Sequence, residues 1–343
     1  MNYETTWANL NRKLRQSADD NNGLASAFFD LENHQRESGF IKDDLKDIRR
    51  IVFHHPTNNS YSLRAQVNPK RAERHNGSGN LALSSEHPNV NDGCFLCREN
   101  IKWQQEERQI GFEIGFGISH YIAFMNPFPL LPNHVVIASP THRTQELMLF
   151  HDNEQNQELA LMLNDLCELA KRLPNYIGFY NGVRAGASIP GHFHFQFFQR
   201  APDLPQFPLE ERNFLDVSCD STATLVENYP IQVFKWTGEL SRVVATATAW
   251  IRNFVETSEF ERQQLTANFI ATTSKTSKAV TLYFVPRHRL KQFWNGDAGI
   301  VGGLEILGEI VLASNEECDL VAKNIMNFDF IERALSRVSS PFF

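Results

Sequence analysis

The stretch Gly191–Arg200, GHFHFQFFQR, sets two imidazoles and an amide at alternate positions with phenylalanines between them. In a β-strand successive side chains point to opposite faces, so His192, His194 and Gln196 share one face and Phe193, Phe195 and Phe197 the other. An apolar face suits a core; a face of nitrogen ligands and hydrogen-bonding groups suits chemistry held on a rigid support. Immediately upstream, YIGFYNGVRAGASIPG from Tyr176 reads as a short aromatic strand followed by a loop carrying Gly182, Gly186 and Gly191. Such glycines let the backbone turn sharply and bring N–H groups close to an anion, which makes the loop a candidate phosphate cradle. A glycine-rich loop alone is weak evidence for that function, and its direct junction with His-x-His-x-Gln strengthens it.

Further upstream, Cys94-Phe95-Leu96-Cys97 places two thiols at the spacing of one half of a tetrahedral zinc site, whose other half must come from elsewhere in the chain. A redox pair and two small buried residues are the competing readings, although no thioredoxin-like βαβ pattern surrounds the motif. Arg71 and Arg74, three apart in VNPKRAERHNGSGN, form either a phosphate clamp or a solvated basic turn. From Tyr121, YIAFMNPFPLLPNHVVIASPTHRTQ reads as strand, proline-rich turn, strand. Asn126 and Phe128 fall in the turn, as base and ribose contacts or as turn packing. His134 and His142 flank the second strand and are not singled out by position.

The remaining elements follow from periodicity. Trp7, Leu10 and Leu14, then Leu24, Phe28 and Leu31, mark two N-terminal helices with no assigned chemistry. RRIVF from Arg49 and YSLRA from Tyr61 form a hairpin. A helix over about 153–173 carries a Leu/Met stripe and is capped by Asp152 or Asn153. Past the proline-rich crossing APDLPQFPLEER, the pattern predicts a strand near 231–236 and a helix near 243–255. A second helix, begun by a Ser258/Glu261 capping box, reaches about Ser274. A strand from Ala279, another within 303–314, and a last helix from a Ser314/Glu317 box to about Val338 complete it. The basic cluster Arg287, His288, Arg289, Lys291 either meets a phosphate acceptor or is a solvated strand end.

Composition narrows the class. The chain has 343 residues, 21% charged and 42% hydrophobic, the profile of a globular protein with a large core. A formal charge of −7 argues against a dedicated nucleic-acid polymer binder, while a free nucleotide needs only a local positive patch. Five cysteines do not suggest a disulfide framework, and no run of about 18 apolar residues could span a bilayer. The expected setting is cytoplasmic, with no membrane partner.

Taken in order, CFLCREN, FMNPFPLL, IASPTHRTQ, NGVRAGAS and HFHFQ resemble the transferase branch of the histidine-triad superfamily, from about Arg49 to Arg200 and less clearly beyond. That branch includes galactose-1-phosphate uridylyltransferase, diadenosine tetraphosphate phosphorylase and sugar-nucleotide phosphorylases. The resemblance implies an α+β fold: a histidine-triad-like antiparallel sheet with flanking helices, duplicated into two lobes. The expected organisation is an N-terminal helical extension over 1–48, a catalytic lobe over 49–201 and a degenerate second lobe over 202–343.

It further implies that His194 is the nucleophile and Gln196 the last triad position. Cys94, Cys97, His142 and His192 would hold a structural zinc ion. Arg71, Arg74, Asn126, Phe128, Asn181 and Ser188 would bind substrate, with Arg184 an added candidate from the loop. Ser188 stands four positions before His192, one more than is usual in the branch. The implied activity is transfer of a nucleoside monophosphate from an NDP-sugar or dinucleoside polyphosphate, through a nucleotidyl-histidine, to phosphate or a sugar phosphate. A hydrolase of the same superfamily and an inactive, zinc-stabilised nucleotide-binding protein are the alternatives. Relatives often dimerise, so a homodimer is among the expected states.

Overall fold

A computed structural model describes residues 2–41, 43–73, 90–147, 156–202, 204, 206–216, 223–258, 261–274, 278–295 and 298–339. In chain order the helices are α1 (Tyr3–Ser17), α2 (Gly23–Glu37), α3 (Arg98–Gln104), α4 (Asn156–Arg172), α5 (Leu240–Thr257), α6 (Gly303–Ile306), α7 (Asn315–Ala322) and α8 (Phe328–Val338). The first strands are β1 (Arg49–His55), β2 (Asn58–Val67), β3 (Phe112–Phe116), β4 (Ser119–Met125), β5 (Val135–Ala138), β6 (Tyr176–Asn181) and β7 (His194–Gln199). They are followed by β8 (Phe214–Asp216), β9 (Thr224–Val226), β10 (Phe234–Gly238), β11 (Leu265–Thr273), β12 (Val280–His288), β13 (Phe293–Asn295), β14 (Ala298–Ile300) and β15 (Glu309–Leu312). The fold is α+β, and the strands of its larger sheets pair antiparallel, as expected. No helix among the described residues is long and apolar enough to cross a membrane.

The chain forms two compact units that interleave along the sequence: Met1–Asp47, Lys70–Gln145 and Ile189–Ala201 make the first, and Ile48–Pro69, Glu146–Ser188 and Pro202–Phe343 the second. In the first unit, β3, β4, β5 and β7 pair in that order, all antiparallel, with Ala138 opposite His194 and Val136 opposite Gln196. Helix α1, started by Asn2 accepting the Thr5 N–H, lies on this unit through side chains that bond to strand edges. Trp7 Nε1 donates to Glu113 Oε1 (2.8 Å), Asn11 Nδ2 donates to the Gly111 carbonyl (2.9 Å), and Asn11 Oδ1 accepts the Glu113 N–H (2.8 Å). Gly111 permits this approach, because a Cβ there would meet the Trp7 ring at 2.9 Å and Ile122 at 2.4 Å. Tyr3, Trp7, Leu96, Ile101, Ile122 and Phe124 form one buried cluster, so α1 is part of the core beside the Cys-x-x-Cys turn.

In the second unit β6, β11, β12, β10, β9 and β8 pair antiparallel. Leu159, Met162, Leu163, Leu166, Leu169 and Ala170 of α4 are buried, as the stripe predicts. Its N-terminal capping residues, Asp152 or Asn153, lie outside the described residues. The β1–β2 hairpin forms as read, and β15 joins it parallel to β2, with Glu309 opposite Arg64.

Three readings of the later chain are corrected. The helix expected from Ser258 to Ser274 is only a 3-10 turn (Arg262–Gln264) leading into β11. All nine residues of LTANFIATT are buried between β6 and β12, and two-sided ladder pairing of a β-branched run outweighs a local capping signal. The strand expected over 303–314 starts as α6, because Glu305 Oε2 accepts the Gly302 N–H, and turns into β15 after Gly308 at φ +97°. The last helix is two: the Ser314/Glu317 box forms, but the chain turns at Asn324 (φ +54°) and Asn327 caps α8 anew.

Candidate active site and metal cluster

β7 starts at His194, so the strand carries His194 and Gln196 on one face while His192 falls in the bend just ahead of it, a departure from the uninterrupted alternation expected. That bend turns His192 toward the Cys94–Cys97 loop. Cys94 Sγ is 3.3 Å from His192 Nδ1, Cys97 Sγ is 3.7 Å from the same atom, and Cys97 Sγ is 3.4 Å from His142 Nδ1. The donor atoms of all four residues lie within 4.8 Å of one another, so they could hold a metal ion. Zinc–sulfur and zinc–nitrogen bonds of roughly 2.3 and 2.0 Å at tetrahedral angles put ligand atoms about 3.5 Å apart, and the observed separations match.

The surroundings complete the fit. His192 Nε2 lies 2.8 Å from the Ser139 carbonyl, which can only accept, so Nε2 carries the proton and Nδ1 keeps its lone pair toward the cluster. Asn91 Nδ2 donates to Cys97 Sγ at 3.3 Å, a contact that favours the thiolate. Burial pushes the Cys97 thiol up to about 11 and, despite the Ser139 bond, holds His192 below the ordinary histidine value, with His142 and Arg143 adding to the effect. A buried thiolate such as that of Cys97 is costly without a cation and favourable with one.

His194 is buried and its orientation is fixed from both sides. Gln145 donates from Nε2 to the His194 carbonyl (2.8 Å) and accepts the His194 N–H at Oε1 (2.7 Å), copying a strand partner with a side-chain amide. His194 Nδ1 donates to the His192 carbonyl at 2.8 Å, which leaves Nε2 with the lone pair. Burial lowers the imidazole pKa to about 4, against the stabilising bond to His192, so the ring is neutral and nucleophilic near pH 7.

Gln196 is set in the same way. His134 Nδ1 accepts the Leu130 N–H (3.2 Å), so its Nε2 carries the proton and donates to Gln196 Oε1 at 3.0 Å. The Gln196 amide therefore keeps its NH2 for another acceptor. His134 and Gln145 were not singled out from sequence, although Gln145 closes the IASPTHRTQ motif.

The other expected residues are distributed as follows. Asn126 Oδ1 accepts the Phe128 N–H (2.9 Å) in an Asx turn, and Arg71 donates to the Phe128 carbonyl (2.5 Å), all in the first unit. Arg74 lies outside the described residues. In the second unit, Asn181 ends β6, Arg184 is exposed at φ +63° and Ser188 is exposed. The basic cluster is not a solvated strand end: Arg287 is fully buried, Arg289 pairs with Glu146, and Lys291 Nζ donates to the Ser339 carbonyl at 3.0 Å.

Residues 31–199 match a family described as "Domain of unknown function (DUF4922)". A comparison with curated proteins found no match. Among solved structures, the fold is similar to that of yeast Ap4A phosphorylase Apa2, with a TM-score of 0.56 and 14% identity, over 91% of this chain and 94% of that one. The same yeast enzyme in complex with Ap4A matches with a TM-score of 0.56 over 91% and 97% of the two chains, again at 14% identity. Its complex with AMP matches at 0.54, over 91% and 96%, at 14% identity. The similarity to the yeast phosphorylase is one of fold.

Proposed function

We propose that the chain is a nucleotidyltransferase of the phosphorylase or uridylyltransferase type, acting on a dinucleoside polyphosphate or an NDP-sugar. The observation that carries this reading is the His194 Nδ1 bond to the His192 carbonyl, which leaves Nε2 as a neutral, fixed nucleophile on a rigid strand. His194 Nε2 attacks the α-phosphorus; an N–P bond forms and the bond to the bridging oxygen breaks, releasing a nucleotide or sugar phosphate. An oxygen of inorganic phosphate or a sugar phosphate then attacks the same phosphorus and frees the imidazole. Gln196 donates an N–H to a non-bridging oxygen without protonating the leaving group, which a phosphate leaving group does not require. Asn126 and Phe128 hold base and ribose, while Asn181, Arg71, Arg74, Arg184 and Ser188 serve the phosphates.

Cys94, Cys97, His142 and His192 would hold a zinc ion. With four protein ligands it would be structural, fixing the bend that orients His192 and hence the carbonyl to which His194 is bonded. The yeast fold relative bound to Ap4A and to AMP is consistent with nucleotide substrates.

The test is trapping of the intermediate. Protein incubated with labelled Ap4A, UDP-glucose, GDP-glucose or ADP-glucose is expected to yield an acid-labile, base-stable adduct with at least one donor, and none in His194→Ala. Ligand binding without adduct from every donor overturns the transfer chemistry. Nucleoside monophosphate released over many turnovers without added phosphate or sugar phosphate would instead identify a hydrolase.

A further inference from the structure

Arg287 is fully buried on β12, yet pairs with no carboxylate among the described residues. Its Nη1 donates to Asn268 Oδ1 (2.9 Å) and to the Val301 carbonyl (3.1 Å), and its Nη2 donates to the Lys291 carbonyl (3.1 Å). Its Nε has no hydrogen-bond partner among the described residues. Desolvation lowers its pKa only to about 10, with Glu305 opposing the shift, so the guanidinium remains charged at neutral pH. A buried cation held by neutral acceptors is an expensive way to fasten two strands, since an apolar residue of similar volume often serves as well.

What the guanidinium does uniquely is impose a direction. It can only donate, so Asn268 must face it with Oδ1. Asn268 Nδ2 then donates both its hydrogens, to Asn181 Oδ1 (2.7 Å) and to the Ala185 carbonyl (2.6 Å). Asn181 in turn must face Asn268 with its oxygen, which leaves its Nδ2 hydrogens for something else; among the described residues they have no partner. Gly302 lies against that NH2, where a Cβ would come within 3.1 Å of Asn181 Nδ2 and 3.6 Å of Glu305 Oε2. Gly186, at φ +94°, holds the loop after Asn181 against the same residue, since a Cβ at 186 would lie 2.5 Å from Gly302 Cα. Arg287 thus bonds to both segments beside that NH2, through Asn268 to Asn181 and through the Val301 carbonyl to the residue before Gly302.

We propose that Arg287 is a positioning residue. By fixing the polarity of two successive amides it presents the Asn181 NH2, rather than its carbonyl, to a phosphate group of the substrate. The inference rests on the assignment of Asn181 to phosphate under the proposed function and extends it to two residues, Asn268 and Arg287, with no part in that reading.

The experiment measures binding of AMP, UMP, GMP and inorganic phosphate to the full chain by calorimetry, alongside melting temperature. Asn181→Ala is expected to weaken the best of these about tenfold or more. Asn268→Ala should weaken it by the same factor, and the double variant no further, because both remove one donor. Arg287→Met should reproduce the loss, and Arg287→Lys, which can still donate to Asn268, should recover part of it. A merely structural role would lower the melting temperature of these variants while leaving the affinity unchanged, and that result overturns the proposal. Additive losses for Asn181 and Asn268 overturn it too. If Arg287→Met fails to fold, the Asn268 arm decides. If the wild type binds none of the probes, or Asn181→Ala binds as well as wild type, the phosphate role of Asn181 falls and the positioning role with it. Normal loss in Asn181→Ala with none in Asn268→Ala defeats the positioning role alone.

Discussion

The Cys94–Cys97–His142–His192 cluster of the first unit brings together four lone-pair donors, among them the Cys97 thiol, whose pKa burial raises. The Arg287–Asn268–Asn181 cluster of the second unit contains its own cation and passes donor polarity outward, one amide at a time. The first arrangement could hold a positive ion from outside the chain. The second is complete internally up to its last NH2, and asks for an acceptor there. The contrast teaches that hydrogen-bond direction, followed atom by atom, distinguishes a cluster able to hold a cation from one that ends in a free donor.

The sharpest way to break the contrast is to remove the metal. Elemental analysis is expected to find about one zinc per chain, largely lost in Cys94→Ser, with a fall in stability of several kcal/mol, since a structural zinc contributes on that order or more. A chelator should reproduce the drop in wild type and add nothing to Cys94→Ser; a metal-free chain with an unchanged melting curve would dissolve the distinction. Next in size is Gln145→Ala, which strands the buried N–H and C=O of His194 and is expected to cost about 2–6 kcal/mol at roughly 1–3 per unsatisfied group. Denaturant titration measures that loss, and Gln145→Glu, which lacks the donor to the carbonyl, should recover only part of it.

A smaller effect is expected at His134. Replacing it with Phe leaves the Gln196 amide free to present either end, and kcat/KM for the adduct-forming donor should fall about tenfold, about 1.4 kcal/mol, with a modest fall in melting temperature from loss of the bond to the Leu130 N–H. An unchanged rate would show that Gln196 is oriented by something else. Smallest is Asn327→Ala, which removes the cap of α8 and should cost about 1 kcal/mol without touching metal content or adduct formation. A loss of metal in that variant would mean that distant packing, and not the four ligands, controls the cluster.

Much of the site was legible in the chain because its signals are short. Cys-x-x-Cys and His-x-His-x-Gln put ligands within a few residues, where local geometry dominates, and the four-residue metal set implied by the family resemblance is the set the fold gathers. The α1, α2 and α4 stripes were readable for the same reason, as each buries one face of a regular helix. The reading of 258–274 failed because a capping box is worth about a kilocalorie, whereas pairing β11 on both edges satisfies a whole run of backbone groups. His192 left the strand because its ring turns toward a loop nearly a hundred residues earlier, a contact no periodicity encodes.

By itself, then, the sequence determined the donor inventory: which residues could bind a cation, which ring could be a nucleophile, and where glycine allowed the backbone to turn. Only the tertiary structure decided which nitrogen of each imidazole carries its proton, which end of each amide faces outward, and that Arg287 lies buried rather than solvated. The reason is physical. Identity and spacing are properties of the chain, but a proton's place and an amide's direction are set by the partner opposite, and that partner, whether the Ser139 carbonyl, the His134 ring or the Arg287 guanidinium, arrives from another segment only in the folded chain.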